Sequence, residues 1–367
     1  MEKFSLRKLR TYHFVRISAA GLGTFLAIAV VFYWFSGWQT DQLIIERVKT
    51  QEMSMARSGA LSITEFFKAR KKELVILSEL EAIRASGEKE GMDVLSILTR
   101  ELKKENTPVG NVIRVDKEGI TVWGTNVELG GQDEDAIGVD LSGQDCFLWA
   151  KTKGETGKVF LGEPIVAQGG SLKGKRMVSM STPVFYQGRF NGIIVATFPI
   201  DELAKKYLEP LSLSPKTHYT IVSEKGEIIT STFNELIGKN ILQIQEQGNW
   251  PEASRQLVKS AIRGEEGTAF HPFINLLTKD HSEAVSAYSP IKINGSIWSL
   301  WVSVPYNEIK KLVMPFRQNQ ILALIIVSGG SLILMLIYIL GIRVSQKDGF
   351  LDGYAQAKNG LRKKKKS

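Results

Sequence analysis

The chain is poor in cysteine and histidine, and it lacks the short motifs of common catalytic folds. A single cysteine, Cys146, among 367 residues excludes an internal disulfide, and its apolar neighbours predict a buried, unreactive thiol. The four histidines are too widely spaced to predict a metal site. No GxSxG, HExxH, CxxC or phosphate-binding glycine loop is present, so no catalytic residues can be nominated. We therefore expect no enzymatic activity, no cofactor and no metal.

An acidic stretch also lacks the pattern that metal binding requires. Acidic residues collect between residues 128 and 145, where no basic residue occurs. Their spacing lacks the alternating aspartates and distal glutamate of a calcium loop. The stretch predicts a solvated acidic loop.

Charged side chains are absent from two long runs. Residues 17–40 contain none, and a second uncharged run lies between Arg317 and Arg343. Each run exceeds the roughly 20 apolar residues that cross a bilayer. We predict transmembrane helices at residues 17–38 and 318–342. Because no small-residue cleavage site follows the first run, we expect an uncleaved anchor rather than a signal peptide.

Basic residues are concentrated outside these two runs. Five precede the first run against one acidic residue, and eight follow the second against two, whereas the region between holds 34 basic and 35 acidic residues. The net charge of +9 therefore comes from two short tails and does not indicate nucleic-acid binding. The positive-inside bias places the tails, residues 1–16 and 343–367, in the cytoplasm of a bacterial inner membrane, with the central domain in the periplasm or outside the cell. The terminal lysines predict an orientation anchor that also attracts anionic lipid.

One structural element occurs twice in the central region. Residues 177–206 resemble residues 284–311 at an offset of 107. Each copy predicts two strands joined by a Gln-Gly or Asn-Gly turn. Two tandem modules of about a hundred residues follow from this repeat. The matching positions are Pro183 with Pro290, Gly188 with Gly295, Ile194 with Trp301 and, after one deleted residue, Pro199 with Pro305.

Residues 39–86 contain no proline and have apolar residues at three-and-four spacing. This predicts a long amphipathic helix that leaves the membrane. About 45 residues at 1.5 Å each are longer than one small module. We therefore expect part of the helix to contact a second subunit in a homodimer, the alternative being a purely intrachain core.

Shorter helices are predicted to cover the strands of each module. They are expected at residues 92–105 and 251–263, and in the segments DELAKKYL and NEIKKLV that follow the last strand of each module. Helices packed on antiparallel sheets give an α+β arrangement.

The order and spacing of these features resemble the double Cache (dCache) sensor family. The resemblance is carried by the D-x-x-G turn at Asp116, the I-G-x-D-L segment at Ile137, FLWAK at Phe147, the strand pair STPVFYQGRFNGIIVA and a shorter second copy before another span. It implies two tandem PAS-like antiparallel-sheet modules on a long N-terminal helix, flanked by two transmembrane helices. The membrane-distal module, residues 87–206, would hold a small ligand, and the membrane-proximal module, residues 207–316, would pass motion to the second span.

The amino-acid-binding pattern of that family is only partly present. Where the family has Arg-x-Trp-Tyr, this chain has Phe147, Leu148, Trp149 and Ala150, and Thr197 stands where the family has an ammonium-binding aspartate. We therefore do not expect an α-amino acid ligand, because its charged groups would be buried without partners, at a cost of several kcal/mol.

The distal module retains other candidate ligand contacts. Lys151 holding a carboxylate and Trp149 forming a stacking wall would suit a small organic acid or an aromatic metabolite, the alternatives being a solvated lysine and a core tryptophan. Because the repeats share strands and turns but not polar pocket residues, we expect a single site in the distal copy. The candidate ligand-binding residues are Trp123, Asp140, Asp145, Trp149, Lys151, Ser179, Ser181 and Thr197.

The tail after the second run, residues 343–367, contains no phospho-acceptor histidine, nucleotide-binding motif or heptad repeat. We therefore expect a sensor that signals across the membrane to a separate partner, a histidine kinase, a cyclase or a chemoreceptor. The alternatives that the sequence leaves open are a stand-alone binding or scaffold protein of the envelope and a truncated receptor.

Overall fold

The computed structural model describes residues 2–85, 89–167, 171–211, 216–248, 250–274 and 281–364. The chain divides into two compact units, one made of Met1–Ile44 and Ile309–Ser367 and the other of Ile45–Glu308. The helices are α1 (Glu2–Glu79), α2 (Glu81–Arg84), α3 (Lys89–Lys104), α4 (Asp145–Lys153), α5 (Ile200–Tyr207), α6 (Ile241–Gln247), α7 (Glu252–Ile262) and α8 (Tyr306–Lys364). The strands are β1 (Asn111–Val115), β2 (Thr121–Asn126), β3 (Gly131–Gln132), β4 (Phe160–Leu161), β5 (Ile165–Val166), β6 (Arg176–Tyr186), β7 (Arg189–Pro199), β8 (His218–Val222), β9 (Ile228–Ser231), β10 (Gly267–Ile274), β11 (His281–Ile293) and β12 (Ser296–Pro305).

The first unit is helical. Among the described residues, one helical segment, Val313–Gly341 in α8, is long and apolar enough to cross a membrane, with 29 residues. The predicted second span, residues 318–342, overlaps this segment. The predicted first span, residues 17–38, lies within α1 and stays a prediction.

The second unit contains two antiparallel sheets. The distal sheet has the order β3-β2-β1-β7-β6-β4, with β5 pairing β6, and the proximal sheet has the order β10-β11-β12-β8-β9. The central strands follow the same plan, because β1, β7 and β6 occupy the positions of β8, β12 and β11. The predicted α+β fold, with a long N-terminal helix and antiparallel sheets, is confirmed.

Tight turns fix the register of the long hairpin in each sheet. Gln187 and Gly188 have φ of 49° and 77°, and Asn294 and Gly295 have φ of 47° and 97°. Positive φ at both central residues is the geometry of a two-residue type I′ turn, which matches the right-handed twist of the strands. Both predicted turns lie where the sequence placed them.

A bulge accounts for the one-residue difference between the two repeats. The β6–β7 pairing shifts by one residue near its turn, whereas the β11–β12 pairing is regular throughout. Val195 pairs with Ile113 of β1, and Trp301 pairs with Thr220, which lies at the equivalent position of β8. Trp301 therefore corresponds to Val195, and the sequence alignment of Trp301 with Ile194 is wrong by one position.

The long helix joins the hydrophobic cores of both modules. The ring centroid of Phe67 in α1 lies 5.2 Å from that of Phe198 in β7 and 5.9 Å from that of Trp298 in β12. Both pairs are edge to face, an arrangement that stabilises by about 0.5–1.5 kcal/mol beyond the burial of apolar area. One continuous buried cluster contains residues of α1 from Met53 to Leu77 together with residues of both sheets.

Some predicted boundaries differ from the structure. The long helix ends at Glu79 rather than at residue 86, because Leu80 is extended, with φ −69° and ψ 132°, before the short helix α2 begins. NEIKKLV, predicted as a separate short helix, lies in the first turns of α8. The predicted boundary between the modules, after residue 206, falls one residue before the end of α5.

Candidate functional site

The distal sheet carries a cavity of about 250 Å³ on the face that points away from α1. Because successive residues of a strand alternate between faces, Ile113 and Val195 line the cavity, while their neighbours Val112 and Ala196 belong to the core that contains α1. The segment before α4 and the short strands β4 and β5 form the remaining walls.

The lining is an apolar surface with several polar groups, which is the usual composition of a small-molecule site. The apolar lining residues include Ile113, Val139, Leu141, Phe160, Ile165, Val166, Met177 and Val195. The polar lining residues are Asn111, Thr121, Asp140, Gln144, Asp145, Glu163, Ser179 and Thr197. The two residues of β5, Ile165 and Val166, are 43% and 54% exposed, so this wall borders solvent.

The charged groups along the lining are all acidic. They are Asp140, Asp145 and Glu163, and the lining contributed by the described residues includes no lysine, arginine or histidine. Hydrogen bonds from Ser142 lower the pKa of Asp140, so this carboxyl group is ionised at neutral pH. Glu163 is paired with Lys225, at 2.5 Å between Oε1 and Nζ. The two remaining carboxylates favour a positively charged or uncharged ligand group over a carboxylate.

A buried hydrogen-bond network supports the inner wall. The side-chain amide of Asn111 donates to Asp133 at 2.6 Å, and the hydroxyl of Ser171 donates to the same carboxylate oxygen at 2.6 Å. The backbone N–H of Asn111 donates to the Thr197 hydroxyl at 2.8 Å. Asp133 is buried, so one member of the predicted solvated acidic loop is a structural group. These bonds fix the orientations of Asn111 and Thr197 at the cavity.

Thr121 offers an unused polar atom. It is buried, its side chain lines the cavity, and its hydroxyl has no hydrogen-bond partner within the described part of the chain. Buried hydroxyl groups are normally paired, because desolvation without a partner is costly. The Thr121 hydroxyl is enclosed in the cavity wall, and no partner among the described residues compensates its desolvation.

Four of the eight predicted site residues line the cavity. Asp140 and Asp145 contribute carboxylates, and Ser179 and Thr197 contribute hydroxyls from the adjacent strands β6 and β7. The structure thus brings together half of the predicted set, and places it in the module that the sequence indicated.

Trp123 and Ser181 lie elsewhere in the distal module. Trp123 is buried in the core on the α1 side of the sheet and pairs with Arg114, which also lies away from the cavity. Ser181 is completely buried where β6 pairs with Phe160 of β4, and it is not among the lining residues. Trp123 is therefore corrected from a ligand contact to a core residue.

Trp149 and Lys151 lie one layer behind the cavity or outside it. The Trp149 ring packs on Phe160, with 5.4 Å between centroids, and Phe160 is the residue that lines the cavity. Lys151 is exposed, with Nζ 5.6 Å from the centroid of the Phe147 ring. The prediction of an organic acid ligand depended on Lys151, and the structure removes that contact.

Sequence reasoning missed Asn111 and Thr121. Asn111 begins the apolar strand NVIRV, and its period-two relation to Ile113 was the available signal for a cavity-facing position. Thr121 faces the cavity because the β1–β2 register shifts between Arg114 and Val115. A shift of this kind changes the face on which a side chain lies and is not visible in the residue pattern.

Comparison with known proteins identifies the family. Residues 37–313 match the family model dCache_1, described as a Cache domain. No curated protein matches the chain by sequence.

Solved structures show the same fold at low sequence identity. The chain is similar to an extracellular ligand binding receptor from Desulfohalobium retbaense, with a TM-score of 0.52 and 18% identity over 69% of this chain and 40% of that chain, so it spans less than half of that receptor. It is similar to the periplasmic sensory domain of the Campylobacter jejuni chemoreceptor Tlp1, with a TM-score of 0.56 and 18% identity over 73% of this chain and 98% of that one. It is also similar to the ligand-binding domain of the Pseudomonas fluorescens chemoreceptor CtaA, solved with L-serine, with a TM-score of 0.50 and 16% identity over 71% and 99% of the two chains.

The matched region covers more than half of the chain and includes both sheets and the part of α1 that packs on them. Sensory domains of chemoreceptors share this architecture. The protein belongs to the double Cache family.

Proposed function

We propose that this protein is a membrane-anchored extracytoplasmic sensor that binds a small organic amine in its distal cavity and signals to a separate membrane partner. The observation that carries the proposal is the distal cavity of about 250 Å³ with an acidic lining, in a chain of the double Cache family. A positively charged nitrogen would be held by Asp140 and Asp145.

The chemistry of the lining selects an amine with an apolar body. Charge-assisted hydrogen bonds from an ammonium group to carboxylates are stronger than neutral ones, while Phe160 and the aliphatic side chains suit an apolar chain or ring. An engineered cavity of about 150 Å³ holds benzene, so the distal cavity has room for a small aromatic amine. The Pseudomonas fluorescens domain of this fold was solved in complex with L-serine, a small ammonium compound. In the present chain, the acidic lining supports the ammonium part of such a ligand but offers no partner for a carboxylate.

Two matched probes test the ligand class on the full chain in lipid nanodiscs. We expect 2-phenylethylamine to bind in isothermal titration calorimetry and phenylacetate to bind at least about tenfold more weakly, because the lining carboxylates attract one probe and repel the other. Asp140→Asn should weaken binding of the amine about tenfold. Lys151→Ala is the control and should leave the affinity unchanged, since Nζ lies over Phe147 outside the cavity.

Tighter binding of phenylacetate, or a loss of affinity in Lys151→Ala, would reverse the assignment of ligand charge. Absence of binding for a wider panel of amines, organic acids, purines and sugars would favour the scaffold alternative. We also propose that the protein turns over no ligand, so the bound probe should be recovered chemically unchanged.

The proposed topology has two spans, at residues 17–38 and 318–342, with both tails in the cytoplasm. Support comes from the candidate span Val313–Gly341 in α8 and from the basic tails. The partner would be a histidine kinase, a cyclase or a chemoreceptor, recoverable by crosslinking and purification from native membranes. Recovery of envelope proteins without a signalling protein would favour a scaffold role.

We further propose that α1 contacts a second copy of the chain. Leu61 and Ile76 are large apolar side chains on this helix, with 61% and 62% of their surface exposed. Their spacing of fifteen residues places them within about 60° of each other around the helix axis at 3.6 residues per turn. Covering both would remove apolar surface from water, which is the main driving force of most subunit contacts.

A further inference from the structure

The proximal module has its own cavity, of about 90 Å³, which the proposed function does not use. Strands β8, β11 and β12 form its floor through His218, Ser286 and Ser303. The α7 helix and the segment before it form the opposite wall, through residues such as Trp250 and Ser254.

The floor of this cavity corresponds position by position to the floor of the distal cavity. Ser179 pairs with Thr197 across β6 and β7, and Ser286 pairs with Ser303 across β11 and β12. The corrected register makes these two pairs equivalent. The hydroxyl positions of the two floors are therefore shared, which corrects the expectation that the repeats have no polar pocket residues in common, and with it the argument for a single site.

A hydrogen-bonded chain orders the polar groups of the floor. His271 Nδ1 lies 2.9 Å from the Pro272 carbonyl oxygen, which can only accept, so Nδ1 carries the proton. Nε2 then accepts from the Ser286 hydroxyl at 2.9 Å, and Ser286 accepts from the Ser303 hydroxyl at 2.7 Å. Burial lowers the pKa of His271, in agreement with this neutral form. The floor is uncharged.

The opposite wall contains two polar groups without partners. Trp250 and Ser254 are 8% and 2% exposed, and within the described residues neither the indole N–H nor the Ser254 hydroxyl has a hydrogen-bond partner. Both atoms are enclosed by protein, so neither side chain presents its polar group to the cavity.

Charge and volume narrow the ligand class. Among the described residues that line this cavity there is no aspartate, glutamate, lysine or arginine, so an ionised ligand would lose its hydration without gaining a partner. One water molecule occupies on the order of 15 Å³ of such a cavity. The volume of about 90 Å³ therefore holds about six non-hydrogen atoms. A ligand of that size has room for one polar group and a short apolar body.

We propose that the proximal cavity is a second ligand site, which binds a small uncharged molecule of the class of short alcohols. The hydroxyl groups of the floor meet the polar group of the ligand, and the apolar wall holds its carbon chain. The site differs from the distal cavity in ligand charge, so the two sites would respond to different compounds. Ser303 lies two residues before the end of β12, the strand that precedes α8 in the chain.

Fluorine NMR with two matched probes tests this site on the full chain in nanodiscs. We expect the fluorine signal of 2,2,2-trifluoroethanol to broaden when the protein is added, at concentrations of the alcohol too low to perturb the fold. Trifluoroacetate is charged and should show no broadening from this cavity. Leu257→Trp fills the proximal cavity and should reduce the broadening at least tenfold.

The duplicated floor supplies the matched control. Ser179→Leu narrows the distal cavity at the position equivalent to Ser286 and should leave trifluoroethanol binding unchanged. Ser254→Leu is a second filling variant that decides the question if Leu257→Trp unfolds, as judged by its thermal melting curve. Broadening that persists in both filling variants, or that disappears equally in Ser179→Leu, would overturn the proposal.

Discussion

Glu52 is a buried acidic residue in the long helix. Its side chain is fully buried in α1, and within the described residues neither carboxylate oxygen has a hydrogen-bond partner. Burial raises the pKa of Glu52 from its ordinary value of 4.5 to about 7, because an ionised carboxylate loses its hydration in this position. Its charge therefore changes near neutral pH, in the helix that joins both modules.

Glu52 should make folding stability depend on pH. Its pKa is higher in the folded than in the unfolded chain, so the folded state binds the proton more tightly between about pH 4.5 and 7. Stability from this group is complete below the unfolded pKa and is lost as pH rises through the folded pKa, by on the order of 3 kcal/mol in total. We expect Glu52→Gln to lose this dependence and to be the more stable protein at pH 8, as measured by thermal unfolding at pH 5 and pH 8.

Glu65→Gln is the control for this experiment. Glu65 lies on the same helix, and its side chain is 56% exposed beside Lys68, so its removal should leave the pH dependence as in the parent chain. Equal slopes of stability against pH in the parent chain and in Glu52→Gln would contradict the assignment.

At the scale of single residues, the sequence predicted several cavity-lining residues but did not predict on which face of the sheet each side chain lies. Asp140, Asp145, Ser179 and Thr197 line the distal cavity as expected. Trp123 does not, because it pairs with Arg114 on the α1 face of the sheet, and only the bulge that follows this pair brings Thr121 to the opposite face.

Among the elements, α1 packs against both modules. Phe67 contacts Phe198 of the distal sheet and Trp298 of the proximal sheet, so a change in either module reaches the same side chain. Apolar spacing predicted this helix because its core-facing stripe is continuous. Its end was not predictable in the same way, because Glu79 and Leu80 interrupt the helix without a glycine or proline.

The exposed face of α1 provides the test of the proposed dimer. We expect Leu61→Cys to form a covalent dimer with a short bis-maleimide crosslinker in membranes, because Leu61 lies on the proposed subunit contact, with 61% of its surface exposed. The readout is a band of twice the chain mass on a denaturing gel. The parent chain is a clean background, since Cys146 is its only cysteine and is buried.

Glu101→Cys on α3 is the matched control, because it is exposed but lies on a different helix. We expect it to give little crosslinked product. Equal yields from the two variants would indicate random collision, and absence of product from Leu61→Cys would remove the contact through this helix.

For the whole molecule, duplication was the most informative pattern in the sequence. It predicted two sheets of the same plan, and the structure has them, with β1, β7 and β6 matched by β8, β12 and β11. It did not predict that both copies hold a cavity, because cavity chemistry depends on residues brought in from outside the repeated hairpin, such as Asp140 on one side and Trp250 on the other. One fold thus presents an acidic and an uncharged cavity along a single helix.

The charges predict an orientation of the whole molecule, which can be tested by cysteine labelling. The basic tails predict a cytoplasmic location for both ends and the opposite side of the membrane for the near-neutral central region. In cells with a permeabilised outer membrane, a membrane-impermeant maleimide should label Glu118→Cys in the exposed turn after β1. The same reagent should label Ser5→Cys and Ser345→Cys only after the inner membrane is disrupted. The parent chain, whose Cys146 is buried, should remain unlabelled in both conditions; labelling of Ser5→Cys with the inner membrane intact would place the first tail outside and contradict the two-span topology.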